Sequence, residues 1–199
     1  ILEGEMFMGK HLKTDYIVEK RISIGSIPAI LFRPTNWDKS LPTIIWYHGW
    51  SSNKESQGIR AFIYSALGYQ VLIPDSIYHG ERNPLNNYDS DNASKFFWDV
   101  IMQNLDESSS IIDSLISKYD ADPNMIGVTG HSMGSFTAAG VFTHNTQIQT
   151  LVTMNGSCAW SDTNERFKRS LGLQIVNKEL ESKIIKMDPL NNLELLVDR

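Results

Sequence analysis

Order in this chain first shows at Tyr16. From there apolar and polar residues alternate through Val18, Ile22 and Ile24, the two-residue period of a strand with one buried face. Gly25-Ser26 reads as a tight turn and Ile27 to Phe32 returns as a second strand, which together predict a hairpin. Pro34 to Pro42 reads as a loop. Thr43-Ile44-Ile45-Trp46-Tyr47 is a nearly continuous apolar run, as expected of a strand covered on both faces. Glu55 to Leu67 carries a helical period closed by Gly68. Gln70 to Ile73 predicts another buried strand, ending at Pro74-Asp75, and Ile77 to Asn92 a polar loop. Ala93 to Tyr119 reads as one long helix, with apolar positions at Phe96, Phe97, Val100, Ile101, Leu105, Ile111, Ile112, Leu115 and Ile116.

The second half repeats the alternation. Met125 to Thr129 predicts a strand, Phe136 to Phe142 a helix rich in small residues, and Gln149 to Met154 a further strand. Ser161 to Met187 is amphipathic and helical, with a break expected near Gly172. Leu193 to Val197 looks like the start of one more strand. Strands alternating with helices imply right-handed crossovers and a mostly parallel sheet, so the expected class is α/β. With no repeat, low-complexity tract or linker, residues 1–199 are expected to form one domain.

Composition narrows the function only by exclusion. The 199 residues are 41% hydrophobic and 21% charged, ordinary for a globular protein, with a formal net charge of -5. That balance gives no basic footprint for nucleic acid or an anionic membrane. No apolar run approaches the ~18 residues of a membrane span. Ile1-Leu2-Glu3-Gly4-Glu5 is too acidic for a secretory leader, and the lack of an initiating Met suggests a trimmed start. The single cysteine, Cys158, excludes an internal disulfide framework and suits a reducing cytoplasm. No Cys/His cluster has zinc spacing, so neither a metal nor a cofactor is expected.

The chemistry concentrates at Gly130-His131-Ser132-Met133-Gly134. An apolar strand precedes this stretch and a helix follows it, which is the context G-x-S-x-G requires. A serine hydroxyl is a poor nucleophile unless a base removes its proton and the backbone presents its oxygen. A strained turn at the end of a strand does the presenting. Gly130 and Gly134 are expected because a side chain at either place would collide with the neighbouring strand or helix. The helix starting at the serine turns its free N–H groups and dipole towards a developing oxyanion.

Three strand ends carry motifs in order: His48-Gly49-Trp50, then Pro74-Asp75-Ser76-Ile77-Tyr78-His79-Gly80, then Gly130-His131-Ser132-Met133-Gly134. Together they resemble an α/β-hydrolase, close to the dienelactone-hydrolase and prolyl-oligopeptidase-like esterases, over roughly residues 17 to 199. The resemblance implies the α/β-hydrolase fold: a mostly parallel sheet with helices on both faces and an N-terminal antiparallel hairpin. It implies Ser132 as nucleophile and an oxyanion hole made by the backbone N–H groups of Trp50 and Met133, each worth about 3–4 kcal/mol in the transition state. The Trp50 indole would line the acyl pocket.

The remaining polar residues in these motifs have blander readings. His48 is expected to fix its own loop, and Asp75 and His79 to be hydrogen-bonded loop structure. His131 is expected to point away across the turn. Phe96, Phe97 and Trp98 are expected to pack the helix, with their loop able to edge the substrate pocket. Residues 156–190 are expected to fold as a small helical cap over the site.

One part of the machinery is missing from the pattern. The family order is Ser, then Asp or Glu, then His. After Ser132 the only histidine is His144, twelve residues along a helix and so roughly 18 Å away. Asp162 is the only downstream loop carboxylate that could replace the usual acid. The acid and histidine are therefore expected C-terminal to Arg199, in a domain cut short here, and the shortened sheet would expose an edge that invites association. Two functions follow. One is a serine hydrolase of a small ester, thioester or amide. The other is a non-catalytic scaffold that binds an acyl ligand or a protein partner.

Overall fold

The computed structural model describes residues 14–171, apart from 36 and 38, and residues 177–197. Six strands form one sheet: β1 (Ile17–Ile24), β2 (Ile27–Pro34), β3 (Leu41–Tyr47), β4 (Gln70–Pro74), β5 (Ala121–His131) and β6 (Thr150–Met154). Their order across the sheet is β1-β2-β4-β3-β5-β6. β1 and β2 form the expected hairpin, with Ile17 opposite Pro34 and Ile24 opposite Ile27, and β2 lies antiparallel to β4. From β4 to β6 every pairing is parallel. The helices are α1 (Gly58–Ala66), α2 (Ser90–Lys118), α3 (Met133–His144), α4 (Trp160–Leu171) and α5 (Lys178–Met187).

The central strands are apolar on both sides because both sides are covered. Ile45, Tyr47 and Leu72 join Leu31, Ile126 and Val128 in the larger core, with α2 and α3. Their neighbours Trp46, Val71 and Ile73 turn to the other face and pack with Ile30, Phe32 and Ala61 of α1. This alternation is the period of two expected of a pleated strand. α3 buries ten of its twelve residues, which its small side chains permit, and so runs through the molecule's interior. α2 is long but conventional: Asp89 caps it by accepting from the Asn92 N–H at 2.9 Å.

Sequence alone drew three strands short: β2 runs on to Pro34, and β3 and β5 both start earlier. β3 starts at Leu41, which is fully buried opposite Ala121 of β5. A register shift between Leu41 and Thr43 accommodates Pro42, whose missing N–H suits an irregular position. β5 accordingly begins at Ala121 rather than Met125 and carries Asp122-Pro123-Asn124 inside it.

The strand expected at Leu193–Val197 is absent. Pro189–Leu196 forms 3-10 turns instead, kinked at Asn192. Asp188 caps these turns through the Leu190 N–H and Pro189 sits in the first helical position, so a helical start outweighs the apolar alternation. Leu193, Leu195 and Val197 are all exposed, as no strand lies beside them to bury them. The break expected near Gly172 falls in residues 172–176, outside the described residues.

α4 and α5 lie against the α2–α3 layer. Trp160 is fully buried beside Trp98 of α2, and Phe167 of α4 meets Phe97 at 5.6 Å. Lys168 bridges to Glu181 between α4 and α5, and Lys183 reaches Asp106 of α2 at 3.0 Å. No helix among the described residues is long and apolar enough to cross a membrane.

Candidate active site

Ser132 stands between the last residue of β5 and the first of α3, at φ 53° and ψ -120°. For a residue with a Cβ this left-handed backbone costs of order 1–3 kcal/mol, so its surroundings must impose it. Several contacts do. The Ser132 N–H donates to the Met154 carbonyl at 2.9 Å. Ser135 Oγ lies 3.0 Å from the carbonyls of Gly130 and Met154 and accepts from the Met154 N–H at 2.5 Å. The elbow is thereby stapled to the end of β6. The flanking glycines behave as the spacing demanded: a Cβ on Gly130 would stand 2.1 Å from the Gly134 carbonyl oxygen, and one on Gly134 2.1 Å from that of Tyr47.

The Ser132 side chain is partly exposed, and among the described residues its hydroxyl meets no hydrogen-bond partner. The His48-Gly49-Trp50 turn abuts it, since a Cβ on Gly49 would lie 3.6 Å from Ser132 Cβ. Among the described residues neither the Trp50 N–H nor the Met133 N–H has an acceptor; the turn closes instead through Ser52 N–H to the Gly49 carbonyl, 3.2 Å. The turn after β3 thus carries one unpartnered N–H, on the residue after Gly49, and the first turn of α3 another, on the residue after Ser132.

Residues 48–54 are held at almost every position. His48 is fully buried; its Nε2 accepts from the Ser76 N–H at 3.1 Å and its Nδ1 lies 2.9 Å from the Gly49 carbonyl. An acceptor at Nε2 and a donor at Nδ1 describe a neutral ring. Burial agrees, pushing the His48 pKa down to about 4 against the support of the Gly49 carbonyl. The Trp50 indole N–H donates to the Tyr88 carbonyl at 3.1 Å, with the ring edge-on to Tyr88 and His79 and tilted against Phe97. Lys54 is buried: its Nζ lies 2.5 Å from Asp75 Oδ2 and 2.6 Å from Glu81 Oε1. Burial works against the Lys54 ammonium, but its bonds to Asp75 and Glu81 outweigh that and raise its pKa.

His48, Asp75 and His79 are the loop-fixing residues expected. Asp75 accepts from the backbone N–H groups of Lys54 and Glu81, each at 3.0 Å, and a Cβ on Gly80 would collide with its carboxylate. His131 is exposed, its ring beside Gly49. His144, at the far end of α3, faces the Met187 carbonyl at 2.9 Å. Asp162 pairs with Arg166 on the exposed side of α4 at 2.8 Å, so it is engaged within its own helix. Among the described residues no histidine is hydrogen-bonded to Ser132, and no cluster of His, Cys, Asp or Glu could hold a metal. Phe97 does more than pack its helix: it touches Trp50, Phe136 and Phe167, linking the His48–Lys54 turn to α4. Sequence reading missed Lys54, which sits in a polar stretch and gave no sign of burial. It also missed Ser135, whose one signal was a hydroxyl in the first turn of a helix rich in small and apolar residues.

Known proteins resemble this chain in sequence or in fold. YitV of Bacillus subtilis (strain 168), named as an esterase, is 25% identical over 178 residues, covering 87% of this chain and 69% of YitV. The esterase YjfP of Escherichia coli (strain K12) is 27% identical over 143 residues, 70% of this chain and 55% of YjfP. Acetyl xylan esterase 1 from Thermoanaerobacterium shares the fold with a TM-score of 0.63 at 16% identity, over 89% of this chain and 68% of that one. The chain therefore spans little more than half to two thirds of these relatives' lengths. The model of the dienelactone hydrolase family matches residues 27–190, from the start of β2 to the turn after α5, and takes in all three motif-bearing strand ends. The chain belongs to the dienelactone hydrolase family, within the α/β-hydrolase superfamily.

Proposed function

We propose that this chain carries the nucleophile and oxyanion hole of a serine hydrolase acting on a carboxylic ester, thioester or small amide. The observation that carries this reading is Ser132 held at φ 53° where a strand meets a helix, with two unpartnered backbone N–H groups beside it. A scaffold that only binds has no use for that strain. The esterase names of YitV and YjfP support the same class.

Ser132 Oγ attacks the substrate carbonyl carbon while a base takes its proton. The negative charge passes to the carbonyl oxygen, which accepts from the Trp50 and Met133 N–H groups. Collapse of the tetrahedral intermediate breaks the bond to the leaving group, which departs with the proton and leaves an acyl-serine. Water, deprotonated by the same base, then releases the acid. The base and its carboxylate partner are expected outside the described residues, because no histidine among these reaches Ser132. The described parts of residues 156–190, 156–171 and 177–190, act as a cap, a reading supported by Phe167 of α4 resting on Phe97, the neighbour of Trp50.

In the full-length protein a fluorophosphonate probe should label Ser132, and Ser132→Ala should abolish the label. Persistent labelling of the alanine variant would sink the assignment. The 199-residue chain alone should turn over an activated acetate ester weakly; a rate equal to that of the full-length protein would place the base within these residues.

A further inference from the structure

The Trp50 N–H belongs to the peptide between Gly49 and Trp50. In a trans peptide the C=O and N–H point in opposite directions, so whatever holds the Gly49 oxygen aims the Trp50 N–H. His48 Nδ1 and the Ser52 N–H hold it. One fixed plane can still swing about the next Cα. The next plane, between Trp50 and Ser51, has its carbonyl oxygen faced by a second imidazole, His79 Nε2. With successive carbonyls pinned from two directions, φ and ψ of Trp50 have little freedom left.

His79 is itself well placed. It comes from the loop after β4, so it ties two strand ends together. Its Nδ1 lies 2.8 Å from the Ile77 carbonyl, and its ring stacks on Tyr88 at 4.7 Å, with Trp50 at 5.2 Å and His48 at 5.0 Å. Among the described residues no other donor reaches either the Trp50 or the Ile77 carbonyl. A neutral imidazole has one N–H and can serve only one of them.

We propose that His79 is a positioning residue for the oxyanion hole: its Nε2–H holds the Trp50 carbonyl and so aims the Trp50 N–H at the oxygen of the reacting carbonyl. The role rests on Ser132 as nucleophile and Trp50 as an oxyanion donor. Such a donor matters most where charge has developed, so loosening it lowers kcat and spares KM. Losing a donor outright costs about 10²–10³ in kcat. A donor kept but poorly aimed should cost about 10–100-fold.

Two amide variants separate the ring's two contacts. In His79→Asn the amide nitrogen falls near the place of Nδ1, where it can donate to the Ile77 carbonyl, and the Trp50 carbonyl is released. In His79→Gln it reaches towards the place of Nε2. In the full-length protein, with an activated ester as substrate, His79→Asn should lose about 10–100-fold in kcat at nearly constant KM, and His79→Gln should regain most of it. A purely structural histidine would not give this split. Equal kcat in the two variants, or an unchanged kcat in His79→Asn, overturns the proposal. If neither variant folds, ring 15N spectra of the unsubstituted protein decide: a proton on Nε2 at neutral pH supports the clamp, and a bare Nε2 overturns it. The two readings fail separately. A protein whose Ser132 takes no fluorophosphonate label loses the nucleophile and the clamp together, whereas normal labelling with an indifferent His79→Asn loses the clamp alone.

Discussion

The pair of Lys54 and Asp75 allows a quantitative test of what holds the His48–Lys54 turn in place. The two side chains are 1% and 0% exposed, and their charges meet at 2.5 Å. Removing one member of a buried pair typically costs 3–5 kcal/mol, because the other charge stays behind. The partners left in each case differ. In Lys54→Met the Asp75 carboxylate keeps two backbone donors, the N–H groups of residue 54 and Glu81, each at 3.0 Å. That places the cost at the low end, about 3 kcal/mol. In Asp75→Asn the ammonium keeps Glu81 at 2.6 Å and Glu55 at 3.2 Å. The new amide is worse placed than the lost charge suggests. If its oxygen faces the residue 54 N–H, its NH2 group faces the Lys54 ammonium and the Glu81 N–H, donor against donor. An orphaned buried N–H adds about 1–3 kcal/mol, so Asp75→Asn should cost about 4–5 kcal/mol, more than Lys54→Met by at least ~1 kcal/mol. Urea unfolding of the full-length variants, followed by tryptophan fluorescence, measures both. If Asp75→Asn is the milder change, the carboxylate's backbone contacts do not carry the weight assigned to them.

Two further outcomes follow from other parts of the molecule. The folded His48 pKa, about 4, lies below the ~6.5 of an unfolded chain. The stability gained by keeping its ring neutral is therefore complete above pH ~6.5 and is lost as pH falls towards about 4, by up to roughly 3 kcal/mol. His48→Gln should remove that part of the urea-midpoint profile, and an unchanged acid slope in the variant would refute it. In Gly140→Ala the new Cβ would stand 2.4 Å from the Trp160 ring and 2.9 Å from Leu105 Cδ2. The ~1 kcal/mol gained in helix propensity is then outweighed by ~1–3 kcal/mol of overpacking, for a net loss near 1 kcal/mol that Trp160→Phe should partly relieve. A stabilised Gly140→Ala would show that the α3–α4 contact yields easily.

Most of the sheet was legible because its cause is local: a period of two for the hairpin, apolar runs for β3 and β4, a period of 3.6 for α2. Ser132 was legible for the same reason, since the elbow needs its glycines within four residues of one another. The misreadings arose where a short-range rule met a stronger neighbour. Leu193–Val197 alternates like a strand, yet Asp188 and Pro189 begin helical turns just before it. Lys54 reads as a solvated charge until Asp75, 21 residues away, is brought against it. The aromatic contacts of Trp50 with Tyr88 and Phe97 likewise depend on elements far apart in the chain.

The strand order has a consequence for synthesis. β3 occupies the middle of the sheet, and its β4 partner begins at Gln70, about 30 residues after Leu41. Its other partner, β5, begins only at Ala121, 80 residues after Leu41. At about 5–20 residues per second, β5 trails β3 out of the ribosome by roughly 4–16 s. For that interval Ile45, Trp46 and Tyr47 lie along an unpaired hydrophobic edge on the nascent chain. That interval, more than any weakness of the finished protein, is when a holdase chaperone would raise the yield most.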